Sequence, residues 1–405
     1  MPLWDWKLIP GTTTPQEPDI PLMYDNLING ISSMVGGVSD SIYGVTMYDY
    51  QDTLVHTSAR KGYFFFDKEV VCLGNSLISN YKLRTTIDQC WGGDSVVVYD
   101  AKGNIYKLSG EIPSTNYNNL RAVQHKGIGY VFPTNCNLNI ENTYRFGNWT
   151  DINQAGWVPD SVVNGKVFTL YMNHDNEPIP NMKKDYYEYI LYPNTNTNNL
   201  VSCIASNDLE ILANNDSIQA VWHKGIDVCE LIFYRPCSFT NKDISVQVSH
   251  ACCLIVRGLL RGNVMVSFAD PTQSGECYYI TIGKGDEIKD LLFDMSSMEY
   301  EYAGKSVSQE LSFNATSILD SYSDLQTNKI ILSNKPVSGV PFSFSITGLS
   351  PYDEGEFYLC SANGITLEKK KYSQNMEIIV PYKGVYILSI RSNSGVCANK
   401  KIVVN

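Results

Sequence analysis

Short apolar runs separated by turn residues recur along the chain and constrain its fold more than any other feature. Lys61–Asp67 and Glu69–Gly74 are nearly continuous apolar runs bounded by Gly and Asp, whereas Val167–Met172 and Tyr186–Tyr192 shift towards alternation. The first pattern is typical of strands buried on both faces, and the second of strands with one solvated face. Helical windows rich in Ala, Glu, Lys and Leu are missing and 27 Tyr are present, so the sequence predicts an all-β protein.

Local turn chemistry predicts how the strands connect. The stretch Leu3–Ala59 is too rich in Trp, Pro, Gly and Thr for a helix and too apolar for a disordered tail, so we expect a loop-rich start to a β domain. Asp100–Asn104 predicts a hairpin turn between strands at 95–99 and 105–108. Antiparallel meanders fit this spacing best.

Three β domains are predicted along the 405 residues. Residues 1–195 form a large antiparallel β-sandwich, residues 200–308 a smaller β-sandwich, and residues 325–405 an immunoglobulin-like β module. The first boundary falls at Pro193–Asn199, whose run of Asn and Thr favours a linker.

Charge and composition exclude several classes of function. A net charge of −11 argues against nucleic acid as a partner, and the short basic run Lys369–Lys371 is by default a solvated face. No window of 18 apolar residues exists, so we expect no membrane span. Residues 1–6 lack the features of a signal peptide. The 11 Cys show no zinc-ligand spacing, so no structural zinc is expected and the redox compartment stays undecided.

Catalytic motifs are missing from the sequence, which leaves scattered candidates. Each of the five His is best interpreted as a satisfied β-domain residue; His174, at a strand end, is the first to test as a base. Asp5, Asp19 and Asp25 are a weak calcium signal because their spacing is irregular. Trp4, Trp6, Tyr24 and Trp91 are candidates for stacking on sugar rings, although Trp in β-sandwiches more often belongs to the core.

Several ordered blocks resemble the central β-sandwich of polysaccharide lyase family 8, the group of chondroitinase AC, hyaluronate lyase and xanthan lyase. The resemblance runs from about residue 3 to 304 and rests on these segments: Trp4–Thr13, Gly36–Asp40 with Tyr43-Gly44, Ala59–Asp67, Val71–Gly74, Thr85–Gln89, Gly147–Trp149, Leu170–His174, Gln219–His223 and Ala269–Pro271. It implies a galactose-mutarotase-like supersandwich for the first domain. The resemblance also implies substrate-binding roles, which we assign to Trp4, Trp6, Tyr24, Asn26, Trp91 and His174.

The same resemblance implies where catalysis takes place. In that family an α/α toroid packs against the β-sandwich, and a Tyr with neighbouring His, Asn and Arg on the toroid performs β-elimination at a uronic acid. A supporting Glu precedes the Trp-x-Trp block. This chain begins after all of those positions, so we expect no catalytic residue in it and no lyase activity by the chain alone.

The resemblance also bears on metal binding and on the C-terminal module. Some chondroitinases bind Ca²⁺ around the Trp-x-Trp stretch; here Asp5 matches, but Lys7 stands where a second carboxylate would follow, with Gln16 and Glu17 in the later part. An ammonium group would repel the ion, so no calcium and no other cofactor is predicted. Gly384–Leu388 and Lys400–Val404 resemble C-terminal sorting domains of Bacteroidetes secretion substrates, with a plain immunoglobulin-like accessory domain as the alternative.

The leading hypothesis is the β-sandwich portion of a family 8 lyase, forming one wall of a cleft for an acidic polysaccharide of the glycosaminoglycan class, together with a missing α/α-toroid domain. Family resemblance places such a protein outside the cell or in the periplasm. The alternatives are a stand-alone carbohydrate-binding or adhesion module and a decayed pseudo-enzyme.

Overall fold

The computed structural model describes residues 2–17, 31–53, 56–153, 155–176, 184–296, 298–299, 302–313, 330–333, 335–346, 355–361, 366–372, 376–392 and 397–404. The chain divides into two compact units. The first comprises residues 1–234 and 253–257, and the second comprises residues 235–252 and 258–405. The domain limits expected from the sequence remain predictions.

Fourteen strands within the described residues form two packed sheets that make up most of the first unit. The strands are β1 (Thr13–Pro15), β2 (Val35–Ser39), β3 (Gly44–Asp52), β4 (Thr57–Phe65), β5 (Val70–Ile78), β6 (Leu83–Trp91), β7 (Ser95–Asp100), β8 (Ile105–Ser109), β9 (Ile112–Tyr117), β10 (Leu120–His125), β11 (Ile128–Val131), β12 (Asn137–Asn148), β13 (Val162–Asn173) and β14 (Asp185–Tyr192). A 3₁₀ turn, Trp149–Asp151, follows β12.

These strands form a five-stranded sheet in the order β1-β6-β13-β12-β9 and a nine-stranded sheet in the order β2-β3-β4-β5-β14-β11-β10-β7-β8. Their inward-facing side chains share one core, which includes Ile87, Phe132, Ile140, Phe168 and Tyr189. The all-β class and the large antiparallel sandwich expected from the sequence are confirmed.

Local signals account for the tight turns but not for the end of this sandwich. Asp100 accepts the backbone N–H groups of Lys102 and Asn104, so the predicted hairpin between β7 and β8 forms as expected. The Pro193–Asn199 run, in contrast, leads into helix α1 (Thr197–Ala205). Asn196 caps that helix, because Asn is a strong N-cap residue as well as a loop former. Leu200, within the helix, is fully buried.

Four further strands complete the first unit in the order β15-β16-β17-β20, with the bounds β15 (Leu209–Asn214), β16 (Ile218–His223), β17 (Val228–Phe233) and β20 (Cys252–Arg257). The second unit contains a four-stranded sheet of β18 (Cys237–Thr240), β19 (Ser245–Val248), β22 (Cys277–Lys284) and β23 (Glu287–Asp294). It also contains the antiparallel pair β21 (Asn263–Ala269) and β24 (Val307–Ser312).

The C-terminal module is a small two-sheet sandwich, as expected from the sequence. One sheet is β25-β26-β29 and the other is β28-β27-β30-β31. The strands are β25 (Ile330–Leu332), β26 (Phe342–Ile346), β27 (Gly355–Ser361), β28 (Thr366–Tyr372), β29 (Met376–Ile378), β30 (Gly384–Ser392) and β31 (Cys397–Val404). Within the described part of the chain, no helix is long and apolar enough to cross a bilayer.

Candidate functional site

The N-terminal segment, residues 2–8, is fixed against the face of the five-stranded sheet that points away from the core. Gln89, which is 2% exposed, donates to the carbonyl oxygens of Asp5 (3.1 Å) and Leu8 (2.8 Å) and accepts the Asp5 N–H at 2.8 Å. Arg145 donates to Gln89 Oε1 at 2.9 Å, to Glu141 Oε1 at 3.0 Å and to Thr169 Oγ1 at 2.8 Å. This buried network holds the segment in one position.

Trp91, the last residue of β6, is 60% exposed on this face. Its ring lies over Gly165 of the adjacent strand β13: a Cβ at position 165 would come within 2.3 Å of the indole Cζ3 and 3.2 Å of Leu3 Cδ1. Only glycine leaves room for the ring to lie against the strand. We call Trp91, Gly165 and Leu3 the Trp91 platform; it presents a flat apolar surface of the kind that stacks on sugar rings.

The other predicted substrate-binding aromatics are placed differently. Trp6 is 43% exposed at the surface of the fixed N-terminal segment, whereas Trp4 is half-buried. Tyr24 and Asn26 lie outside the described residues, as do Asp19 and Asp25.

His174 has a structural environment. Its side chain is 2% exposed, its Nε2 lies 2.7 Å from Thr85 Oγ1, and its Nδ1 lies 3.2 Å from Asp185 Oδ2. Burial alone would raise the pKa of Asp185, but hydrogen bonds from His174 and from the N–H groups of Asp175 and Tyr186 bring that pKa down to about 2. Both ring nitrogens of His174 are occupied by protein groups, and its role in substrate binding stays a prediction.

Lys7 lies in the loop that corresponds to the calcium site of some chondroitinases. Its Nζ donates to the carbonyl oxygen of Glu17 at 2.5 Å, and its backbone N–H donates to Asp5 Oδ1 at 2.9 Å. A fixed ammonium therefore already contacts oxygens that a cation would seek. The absence of calcium at this place stays a prediction.

Asp88, Cys90 and His125 form a cluster with metal-ligand atoms within 4.8 Å of one another, which the sequence reasoning missed. The Gly93 N–H donates to His125 Nε2 at 3.0 Å, so the ring proton is on Nδ1, which faces Cys90 Sγ at 3.6 Å. Burial first, then Lys126 and Lys166, lowers the pKa of His125 to about 4.

The rest of this cluster is also internally bonded. The Tyr130 hydroxyl donates to Asp88 Oδ2 at 2.5 Å, and Cys90 Sγ lies 3.3 Å from the same oxygen. Burial and Asp88 raise the pKa of the Cys90 thiol to about 12. The potential ligand atoms of this cluster are thus already engaged with protein groups, and the bond from Gly93 to His125 fixes the chain just after Trp91.

Two family models match the chain. Residues 1–203 match the super-sandwich domain of polysaccharide lyase family 8, and residues 210–278 match the C-terminal beta-sandwich domain of the same family.

Three curated relatives are similar to this chain in sequence. Chondroitinase-AC from Pedobacter heparinus is 31% identical over 317 residues, covering 76% of this chain and 42% of that protein. Xanthan lyase from a Bacillus species is 27% identical and covers 57% of this chain and 25% of that protein. Hyaluronate lyase from Thermasporomyces composti is 25% identical and covers 69% of this chain and 35% of that protein. The chain thus spans less than half the length of these relatives.

Solved structures agree on the fold. A chondroitinase AC lyase studied in oligosaccharide complexes superposes with a TM-score of 0.68 at 29% identity, covering 76% of this chain and 44% of that chain. Xanthan lyase from Paenibacillus gives a TM-score of 0.69 over 98% of this chain and 45% of that chain; at 18% identity it supports the fold alone. The resemblance found in the sequence is confirmed: this chain belongs to polysaccharide lyase family 8.

Proposed function

We propose that this chain is the β-sandwich portion of a lyase that cleaves uronic-acid-containing glycans of the chondroitin and hyaluronan class by β-elimination. In this proposal the chain forms one wall of the substrate cleft. The observation that carries it is the Trp91 platform, an exposed indole on a rigid sheet in a family 8 supersandwich.

Proton transfer in this reaction is assigned to an α/α-toroid domain, outside the residues of this chain. β-Elimination requires a base within reach of the C5 proton and a group that neutralises the uronate carboxylate. In this chain Arg145 is committed to Glu141, Gln89 and Thr169, so it is not free to neutralise a carboxylate.

The histidines give the same indication. Four of them bond to neighbouring protein groups: His125 to the Gly93 amide, His174 to Thr85 and Asp185, His223 to Glu69, and His250 to Glu276. We therefore propose that the chain by itself binds glycan weakly and does not turn it over.

The same proposal includes location outside the cell or in the periplasm, a role of residues 325–405 in secretion sorting, and the domain limits 1–195 and 200–308.

The activity claim is tested with the purified chain and hyaluronan or chondroitin, by following the ultraviolet absorbance of the unsaturated uronate product. We expect no product. Steady formation of unsaturated uronate by the chain alone would contradict the assignment of proton transfer to a partner.

The binding claim is tested by calorimetry with chondroitin oligosaccharides. Trp91→Ala should weaken binding by up to about tenfold, since an aromatic stacking contact contributes about 0.5–1.5 kcal/mol. Gly165→Val should have a similar effect because the new side chain displaces the indole. Trp157→Ala, which removes an indole that is 80% exposed elsewhere, is the matched control and should bind as wild type.

These variants also separate the lyase proposal from its alternatives. Equal losses in Trp91→Ala and Trp157→Ala would show that the platform is not the binding surface. High affinity by the chain alone would favour a stand-alone carbohydrate-binding module, and no heat with any glycan would favour a decayed pseudo-enzyme.

A further inference from the structure

The C-terminal module differs in charge from the rest of the chain and lies outside the residues that the family models match. Nine Lys and Arg against five Asp and Glu give residues 329–405 a net charge of +4, whereas the whole chain carries −11. The preceding 328 residues therefore carry −15. The module is therefore positively charged on an otherwise acidic protein, and it is the part of the chain that attracts anionic partners.

Four of the nine basic residues of the module lie at positions on one face of the four-stranded sheet β28-β27-β30-β31. Phe357, Leu359 and Leu388 are buried in the core of the module, so the alternate positions of these strands belong to the outer face. That face includes Lys369 and Lys371 of β28, both exposed, and Tyr358 of β27, which pairs with Lys369.

Two more basic positions extend this face across the sheet. The register places Arg391 of β30 opposite Glu356, and Lys401 of β31 opposite Ile387. Four basic positions thus share one face with one acidic position, Glu356. We call Lys369, Lys371, Arg391, Lys401 and Tyr358 the basic face.

Glu356 reduces the positive charge of the basic face. Its Oε2 lies 3.0 Å from Lys369 Nζ and accepts the Tyr358 hydroxyl at 2.5 Å, while the ammonium lies 5.0 Å from the centre of the Tyr358 ring. Lys369 is therefore partly neutralised and held over an aromatic ring. Lysines at a sheet edge also protect it from pairing with other chains, which accounts for β28 alone. Edge protection does not account for a basic position on β30, which lies inside the sheet.

We propose that the basic face binds acidic polysaccharide, holding the glycan independently of the Trp91 platform. The inference rests on the proposed function for the class of ligand, since the relatives are named for chondroitin, hyaluronan and xanthan, which carry uronate groups. Carboxylates or sulfates repeated along the glycan meet Lys369 and Lys371 on neighbouring positions, and Tyr358 offers an adjacent ring for stacking. Such binding is screened by salt.

The test measures binding of the purified chain of 405 residues to chondroitin sulfate by calorimetry, at low salt and at several times higher salt. The double variant Lys369→Gln/Lys371→Gln should weaken binding about tenfold, from two exposed ion pairs of up to about 1 kcal/mol each. Lys102→Gln/Lys107→Gln removes the same charge from the exposed β7–β8 hairpin and should leave binding unchanged. Glu356→Gln should strengthen binding, because it releases Lys369 from its carboxylate.

Opposite changes from Lys and Glu variants cannot both arise from misfolding, so the pair keeps the inference testable. The inference is overturned if Lys369→Gln/Lys371→Gln binds like the Lys102/Lys107 control, if salt has no effect, or if duplex DNA of equal charge binds more tightly than the glycan. Loss of binding in Trp91→Ala with no change in the lysine double variant would overturn this inference and leave the proposed function standing. The reverse pattern would support the basic face and count against the platform.

Discussion

The burial of Lys61 should make the first unit more stable as pH rises. Replacing Lys61 with Met should abolish this pH dependence. Lys61 is 6% exposed inside the sandwich; its Nζ donates to the Gly11 carbonyl oxygen at 2.5 Å and lies 6.0 Å from the centre of the Tyr187 ring. Burial lowers the pKa of Lys61 from 10.5 to about 8, since the interior disfavours the charged form.

The sign and size of the effect follow from this shift. Between pH 8 and 10.5 the unfolded chain holds the Lys61 proton and the folded chain does not, so stability increases as pH rises through that window. From pH 7 to pH 9.5 the free energy of unfolding should rise by about 2 kcal/mol on account of this one group, at about 1.4 kcal/mol per pH unit where the two states differ by a full proton.

The assay is urea unfolding followed by tryptophan fluorescence at pH 7, 8, 9 and 9.5 for wild type, Lys61→Met and Lys107→Met. Lys107 is exposed on β8, so its variant should keep the wild-type pH dependence. The difference between wild type and Lys61→Met cancels all other titrating groups. A wild-type minus Lys61→Met difference that stays flat from pH 7 to 9.5 would refute the assignment of a neutralised, buried lysine.

Three further predictions concern the first unit. Asp185→Asn should cost about 2 kcal/mol at pH 7, because the depressed pKa stabilises the fold above pH 4 and loses that effect as pH falls toward 2; acid titrations of wild type and variant measure the difference. Gly74→Ala should lower the melting temperature, since its Cβ would meet the Tyr187 ring at 2.0 Å, and overpacking costs about 1–3 kcal/mol; an unchanged melting temperature would contradict this. Burial and Asp40 raise the pKa of Glu230 well above its usual range. The free energy of unfolding should therefore fall as pH rises above 4.5, because the unfolded chain loses this proton while the folded chain keeps it. Glu230→Gln should flatten that fall in urea titrations at pH 5 to 8, and a variant with the wild-type slope would contradict it.

Local chemistry accounts for the parts of this protein that the sequence predicts. The alternating and continuous apolar runs identify strands such as β5, β13 and β14, because side-chain periodicity depends only on neighbours in the chain. The hairpin at Asp100 forms for the same reason. The ordered sequence blocks identify the family before any coordinates are considered.

Long-range contacts decide the rest. The sequence offers Trp91 and His174 as equal candidates, yet the fold exposes the first over Gly165 and buries the second between Thr85 and Asp185. Gly165 and Thr85 lie far in sequence from Trp91 and His174, and they meet them only when β6 pairs with β13. Likewise the run Lys369–Lys371 resembles any solvated charge cluster until strand register adds Arg391 and Lys401 to its face. The sequence by itself therefore determined the strands, their local turns and the family. Only the tertiary structure decided which aromatic and charged groups share a surface, because burial and facing are properties of strand pairing and not of any single segment.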